Sequence, residues 1–287
     1  MASSNNDPLQ EVISRVPNLA RAKELAITPL LGGLTNMSYL VVADGAKFAV
    51  RVSGVSGGSL GIDRTSEADA LRRAEAAGFG PEVVAFLLPE GHLITRYLAD
   101  ARTLTLEQFT TPAMIPRVAA RLRDIHALDP IARDFDPYAD IRRWLEITEG
   151  QRASRPAQLG PLLEKVAEIE RLRGPLAEKA KVFCHNDPYF LNFLDDGSLW
   201  VLDWEYAGMG DPMYDLAGVG NILDDAGRDL LLESYFGEDG IRLRRDLDDL
   251  VAVYVCWNIA WTLVQIDVSV IRFDYVNFLE ELLGRLP

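Results

Sequence analysis

The run Cys184-His-Asn-Asp-Pro-Tyr-Phe-Leu-Asn192, followed by Leu199-Trp-Val-Leu-Asp-Trp-Glu205, decides how the rest of this sequence is read. Asp187 and Asn192 stand five apart on a loop after a short apolar strand, Lys181 to Cys184. Asp203 follows a second strand, Leu199 to Leu202. The turn Asp195-Asp196-Gly197-Ser198 can close a hairpin that gathers Asp187, Asn192 and Asp203. Two carboxylates and an amide in one place suit phosphoryl transfer from ATP. One carboxylate orients the attacking hydroxyl, while the amide oxygen and the other carboxylate hold Mg2+ on the phosphates. Asp and Asn are also ordinary turn residues. The ordered series His-Asn-Asp, then Asn, then apolar-Asp-Trp-Glu, in a strand-loop-strand frame, outweighs that plainer reading.

Upstream the texture is that of strands. Leu9, Val12, Ile13 and Val16 mark one face of a first helix. Ser38 to Val42 and Lys47 to Val52 flank the hairpin signal Asp44-Gly45. Gly54 to Gly61 reads as a flexible loop, and Ser66 to Ala77 as a helix ended by Gly78. Glu82 to Leu88 and His92 to Tyr97 make another hairpin. Beyond Leu98 the pattern turns helical, with helices expected at 116–128, 138–149, 160–179, 211–223, 227–236, 244–268 and 274–285. This predicts an α+β chain of two lobes: 1–97, a small antiparallel-sheet lobe that binds nucleotide, and 98–287, a mainly helical lobe with the catalytic loop, metal site and substrate pocket. Clefts at such junctions are where ligands bind.

Composition narrows the partners. The 287 residues are 48% hydrophobic, enough for a real core. A net charge of −14 argues against nucleic-acid binding and accords with a cationic small substrate. The most apolar stretch, Leu250 to Val270, is interrupted by Asn258, Gln265 and Asp267, so no membrane span is expected. Residues Met1 to Asp7 lack the basic start and apolar run of a signal peptide. Two cysteines among apolar neighbours fit a reducing cytoplasm better than a disulfide framework. Gly54-Val-Ser-Gly-Gly58 satisfies a hydrolase motif, but the glycines that follow are too many to start the helix a nucleophile elbow needs. His92 and His126 show no metal-ligand spacing and read as structural.

Four blocks in order resemble the choline/ethanolamine kinase family, within the wider aminoglycoside-phosphotransferase and protein-kinase-like superfamily. They are Leu31-Gly-Gly-Leu-Thr-Asn36, Phe48-Ala-Val-Arg-Val52, His185-Asn-Asp187 with Asn192, and Leu202-Asp-Trp-Glu-Tyr-Ala-Gly208 running to Asp211-Pro-Met-Tyr-Asp215. Trp261-Thr-Leu-Val-Gln265 extends the match. The resemblance implies a protein-kinase-like fold and ATP-dependent phosphorylation of a small hydroxylated amine, choline first and ethanolamine second. An aminoglycoside or thiamine kinase, and a weakly active nucleotide-binding regulatory protein, remain the alternatives.

Carried over residue by residue, Asp187 is the catalytic base and His185 supports the catalytic loop. Asn192 and Asp203 ligate one or two Mg2+ ions, with Glu205 a further carboxylate for metal or substrate. Gly32, Gly33, Thr35, Asn36 and Ser38 cover the ATP phosphates, Arg51 grips them, and Glu67 pairs with Arg51. Arg96, Tyr97 and Leu98 form the adenine hinge, and Asp215 fastens the catalytic loop. Trp257, Trp261, Gln265 and Tyr275 line the amine pocket, where aromatic faces attract a quaternary ammonium. Three positions depart from the animal members. The first Trp is shifted by one to Trp257, Phe278 stands where Tyr is common, and Asn221 or Ile222 replaces an expected carboxylate.

Overall fold

A computed structural model describes residues 7–30, 35–54, 57–150, 155–174, 180–269, 271 and 273–285. The first helix, α1 (Pro8–Arg15), starts where the Asp7 carboxylate accepts the Leu9 N–H and Pro8 presets φ. Its face of Leu9, Val12 and Ile13 buries against a sheet. A single turn, α2 (Pro17–Ala20), leads into that sheet. Its strands are β1 (Leu25–Leu30), β2 (Met37–Ala43), β3 (Ala46–Val52), β4 (Val83–Leu87) and β5 (His92–Arg96). They run antiparallel in the order β1-β2-β3-β5-β4. Asp44 and Gly45 both take positive φ, 46° and 83°, making the tight turn that Asp-Gly favours between β2 and β3. Alternation then places Val41, Phe48, Val50 and Ile94 under α1.

β1 was not expected from the sequence. It is largely exposed, contains Pro29 and pairs with β2 alone, so it carries the weak pattern of an edge strand. The segment read as a glycine-rich loop contains a helical turn, α3 (Gly57–Leu60). Leu60 is fully buried in the main core and anchors that turn despite its glycines. Next comes α4 (Arg64–Ala76), capped by the Asp63 carboxylate on the Thr65 and Ser66 N–H groups. Its Leu71 and Ala74 join the main core.

The second half contains β6 (Arg102–Thr103), α5 (Leu106–Phe109), α6 (Met114–His126), α7 (Pro137–Ile147) and α8 (Leu159–Arg173). Then follow β7 (Val182–Cys184), β8 (Phe193–Asp195), β9 (Leu199–Val201), β10 (Gly208–Gly210), α9 (Pro212–Gly220), α10 (Asp225–Phe236), α11 (Arg244–Val268) and α12 (Tyr275–Leu283). The seven expected helices are present; residues 175–179, predicted to end α8, lie outside the described residues.

The two strands expected around the catalytic loop do not pair with each other. β7 pairs with β10, and β9 pairs with β8, which in turn pairs with β6. The turn at 195–198 does close a hairpin, but between β8 and β9. β8 is three residues hidden inside the motif and β10 is flanked by glycines, so neither shows a strand pattern.

α11 is long and apolar enough to cross a membrane by length and composition. Its residues from Leu247 to Gln265 are instead mostly buried among α7, α8, α9 and α12, the mark of a core helix. Cys184 and Cys256 are free and buried.

Candidate active site

The catalytic-loop segment leaves β7 into a backbone that its neighbours hold on every side. Asp215, one turn into α9, accepts the His185 N–H at 2.8 Å on Oδ2 and the Asn186 N–H at 2.6 Å on Oδ1. His126 also reaches Asp215 Oδ2, at 3.0 Å. Asp215 therefore fastens the loop, as expected. His185 is fully buried. Its Nε2 lies 2.9 Å from the Leu202 carbonyl, and its Nδ1 accepts the Asp187 N–H at 3.2 Å. These partners fix the neutral tautomer with the proton on Nε2. The imidazole thus ties the loop to the segment before Asp203, the supporting place read for it in the sequence, and is not placed to move a proton.

Asn186 and Asp203 both adopt left-handed backbone, φ 67° and 64°. Asn and Asp tolerate that region better than most residues, and such strain persists where the surroundings over-determine it. Here it turns Asp203 into a cleft of about 750 Å3 between the sheet and the helices. Asp187, Asn192, Asp203 and Glu205 all line that cleft. The Asn192 Nδ2 donates to the Asp187 carbonyl at 3.0 Å, and its Oδ1 accepts no hydrogen bond among the described residues.

Beneath them lies a buried ionic network. Arg51 on β3 pairs with Glu67 on α4, and its Nη1 stands 3.4 Å from Asp203 Oδ1 and 3.6 Å from Glu205 Oε1. Arg64 Nη1 bridges Glu67 Oε2 at 2.6 Å and Glu205 Oε1 at 2.7 Å. The pairing of Arg51 with Glu67 was legible in the sequence; Arg64 was not. Asn36 was expected on the phosphates. Its amide instead donates to Glu205 Oε1 at 2.9 Å and accepts the Gly54 N–H at 3.2 Å, so it sits inside the network. Glu205 thus has Oε1 committed to Asn36 and Arg64, while Oε2 accepts no hydrogen bond among the described residues.

Charge is tuned accordingly. Burial pushes the Asp187 carboxyl up, as suits a proton acceptor. Burial, then Glu205, pushes Asp203 well above the usual carboxylate range, although its side chain keeps 38% exposure to the cleft. Burial opposes the Glu205 charge too, but Arg51 and Arg64 outweigh it and hold that carboxyl low.

Thr35, Ser38, Arg51, Arg96, Tyr97 and Leu98, the residues expected to meet ATP, line the cleft; Gly32 and Gly33 lie outside the described residues. At the other end Trp257 and Trp261 face the cleft together with Tyr206, Asn258 and Phe278. The Trp261 indole N–H donates to the Tyr206 hydroxyl at 3.1 Å, and the Tyr206 and Trp257 rings meet edge to face at 4.8 Å.

Two expected pocket residues do not reach it. Gln265 is 1% exposed, lies off the cleft, and its amide meets no hydrogen-bond partner among the described residues. Tyr275 stands behind Trp261, 6.2 Å between rings, with its hydroxyl on Ser269. Asp224 and Asp225 supply no carboxylate to the cleft, since one caps α10 and the other meets Arg244. Tyr206, adjacent to Glu205 in the motif, was the legible signal that went unused.

A five-stranded antiparallel sheet, a helical half and an Asp/Asn/Asp cleft between them define a protein-kinase-like phosphotransferase. The chain belongs to the phosphotransferase enzyme family, which matches residues 26–250. It is similar to Protein LicA of Haemophilus influenzae, 30% identical over 219 residues that make up 71% of this chain and 61% of that protein's length. Among solved structures it is similar to a choline/ethanolamine kinase family protein from Mesorhizobium loti. That match has 27% identity and a TM-score of 0.78, and covers 97% of this chain and 93% of the other. It shares the fold of the choline kinase LicA from Streptococcus pneumoniae, with 21% identity, a TM-score of 0.80, and 96% and 98% of the two chains covered. The kinship read from residues 31–215 is borne out.

Proposed function

We propose that this protein transfers the γ-phosphoryl group of ATP to the hydroxyl of a small amino-alcohol, choline first and ethanolamine second. One observation carries the reading: a single cleft holds Asp187, Asn192 and Asp203 beside an aromatic wall of Tyr206, Trp257, Trp261 and Phe278. The wall suits an ammonium group through cation–π attraction. The names of the Mesorhizobium and Streptococcus proteins support the same substrate class. Residues 1–97 and 98–287 serve as the two lobes, with β5 ending at Arg96.

Asp187 accepts a hydrogen bond from the acceptor hydroxyl and takes its proton as the acceptor oxygen bonds to the γ-phosphorus and the bridging P–O bond to ADP breaks. Arg51 neutralises phosphate oxygens and is kept extended by Glu67. Asn192 and Asp203 offer hard oxygen donors, and the unengaged Oδ1 of Asn192 fits a divalent cation. Mg2+ held there would supply charge neutralisation on the transferring phosphate. A cytosolic location accords with the two free buried thiols.

The test is Mg2+-dependent ATP consumption against a panel of choline, ethanolamine, thiamine and an aminoglycoside, with the phosphorylated product identified by mass. Phosphocholine or phosphoethanolamine as the product of highest kcat/KM is expected. Preference for thiamine or the aminoglycoside, or no turnover with any amine, would overturn the reading.

A further inference from the structure

We propose that Tyr254 is a positioning residue for the transfer step, holding the Asp187 carboxylate in its reacting orientation. The Tyr254 hydroxyl donates to Asp187 Oδ1 at 3.0 Å. That bond occupies one oxygen and leaves Oδ2 to face the acceptor hydroxyl. Tyr254 does not line the cleft, whereas Asp187 does, so it acts from behind. The ring is 2% exposed, stacked 6.4 Å from Trp257 and packed at a tilt 5.4 Å from Tyr214, which removes the freedom a hydrogen-bond donor otherwise loses on use. Burial pushes its phenol well above the usual value, so it keeps its proton and remains a donor.

The packing is specific to this arrangement. Gly218 on α9 faces both partners: a Cβ there would stand 2.7 Å from Pro188 Cγ and 3.0 Å from Tyr254 Cε2. A glycine at that point lets α9 approach the residue after Asp187 and the Tyr254 ring at once. Tyr254, Trp257, Asn258 and Trp261 follow the i, i+3, i+4, i+7 spacing of one helix face. The helix that presents the aromatic wall therefore also presents the group that orients the base. One rigid element sets the separation between the bound amine and the reacting hydroxyl, a geometry suited to a short amino-alcohol.

The inference rests on the reading that Asp187 orients the acceptor hydroxyl, and the experiment separates the two. Tyr254→Phe, Tyr214→Phe and Asp187→Ala are compared with the parent in ATP-dependent choline phosphorylation, with melting temperature measured for each. Tyr214 is the control because its buried hydroxyl meets no partner among the described residues and removing it leaves Asp187 untouched. Tyr254→Phe is expected to lower kcat roughly tenfold or more, the scale of a hydrogen bond to a charged group, with KM for ATP and choline within twofold and a melting temperature that still reports a folded protein. Tyr214→Phe keeps kcat. Full kcat in Tyr254→Phe alongside a dead Asp187→Ala would overturn the positioning role and leave the base in place. A rise in choline KM at unchanged kcat would overturn it too, making Tyr254 a wall of the pocket, as would equal losses in the two tyrosine variants. Turnover retained by Asp187→Ala would instead remove the reading beneath it.

Discussion

Arg64→Met tests the ionic floor of the cleft, because methionine keeps an apolar stem and removes the guanidinium with its charge and donors. Arg64 Nη1 stands 2.6 Å from Glu67 and 2.7 Å from Glu205, whose side chains are 0% and 3% exposed. Among the described residues the network sets two guanidiniums, Arg51 and Arg64, against Glu67, Glu205 and Asp203. The variant sets one guanidinium against the same three carboxylates. Removing one partner from a buried pair costs about 3–5 kcal/mol, because the charge left behind stays desolvated. For a chain of this size that is a fall of roughly 6–20 °C in melting temperature, at about 2–4 °C per kcal/mol. Arg51 is drawn toward the two glutamates, so KM for ATP rises as well. The decisive assay is a double-mutant cycle of Arg64→Met and Glu205→Gln by chemical unfolding. A neutral residue 205 no longer needs the cation, so the double variant should lose less than the sum of the singles, by about 0.5–3 kcal/mol. Simple additivity, or a melting temperature equal to the parent's, would refute the claim that Arg64 neutralises these carboxylates.

Three other outcomes are expected. Trp261→Phe keeps an aromatic face but loses the bond to Tyr206, so KM for choline should rise a few-fold with KM for ATP unchanged. Trp261→Ala should weaken choline by about 3–30-fold and also lower the melting temperature, since the residue is 6% exposed; parallel shifts for both substrates in the Phe variant would argue for packing alone. Asp203→Asn should abolish Mg2+-dependent turnover while the fold survives, and turnover with unchanged Mg2+ dependence would remove Asp203 from the metal site.

The remaining prediction concerns pH. The Arg117 guanidinium binds both oxygens of Asp195 at 2.6 and 2.8 Å and holds that carboxyl below its usual range. A depressed folded pKa adds stability above the unfolded carboxylate pKa of about 3.9, and that stability is lost as pH falls through the lower folded value. Arg117→Ala should therefore be less stable than the parent at pH 7, by under about 1 kcal/mol given the exposure of the pair, and the gap should be smaller at pH 3. Chemical unfolding at both pH values checks this, and a gap that does not change with pH contradicts it.

How far the sequence carried depended on the distance between partners. The catalytic set was legible because Asp187, Asn192 and Asp203 fall within one short strand-loop-strand stretch whose turn chemistry is local. α11 was legible near its observed bounds because a helix buried on most sides is a long, mostly apolar run with charged residues at its start. The Trp257/Trp261 spacing of four put both indoles on one face, and both line the cleft. Gln265, four residues further, continues the same pattern in sequence. The site does not extend that far along the helix, so the periodicity names a face without telling where the cleft ends. Arg64 was invisible for a different reason: an arginine at the first position of a helix looks solvated, and its partner Glu205 is 141 residues away. Tyr254 and Asp187 are 67 apart, and nothing near either one advertises the bond. The residues proposed to perform the transfer are thus written locally, while those proposed to aim and neutralise them come from α4 and α11. A variant that keeps every motif residue and alters only those two helices can therefore lose activity with its signature intact.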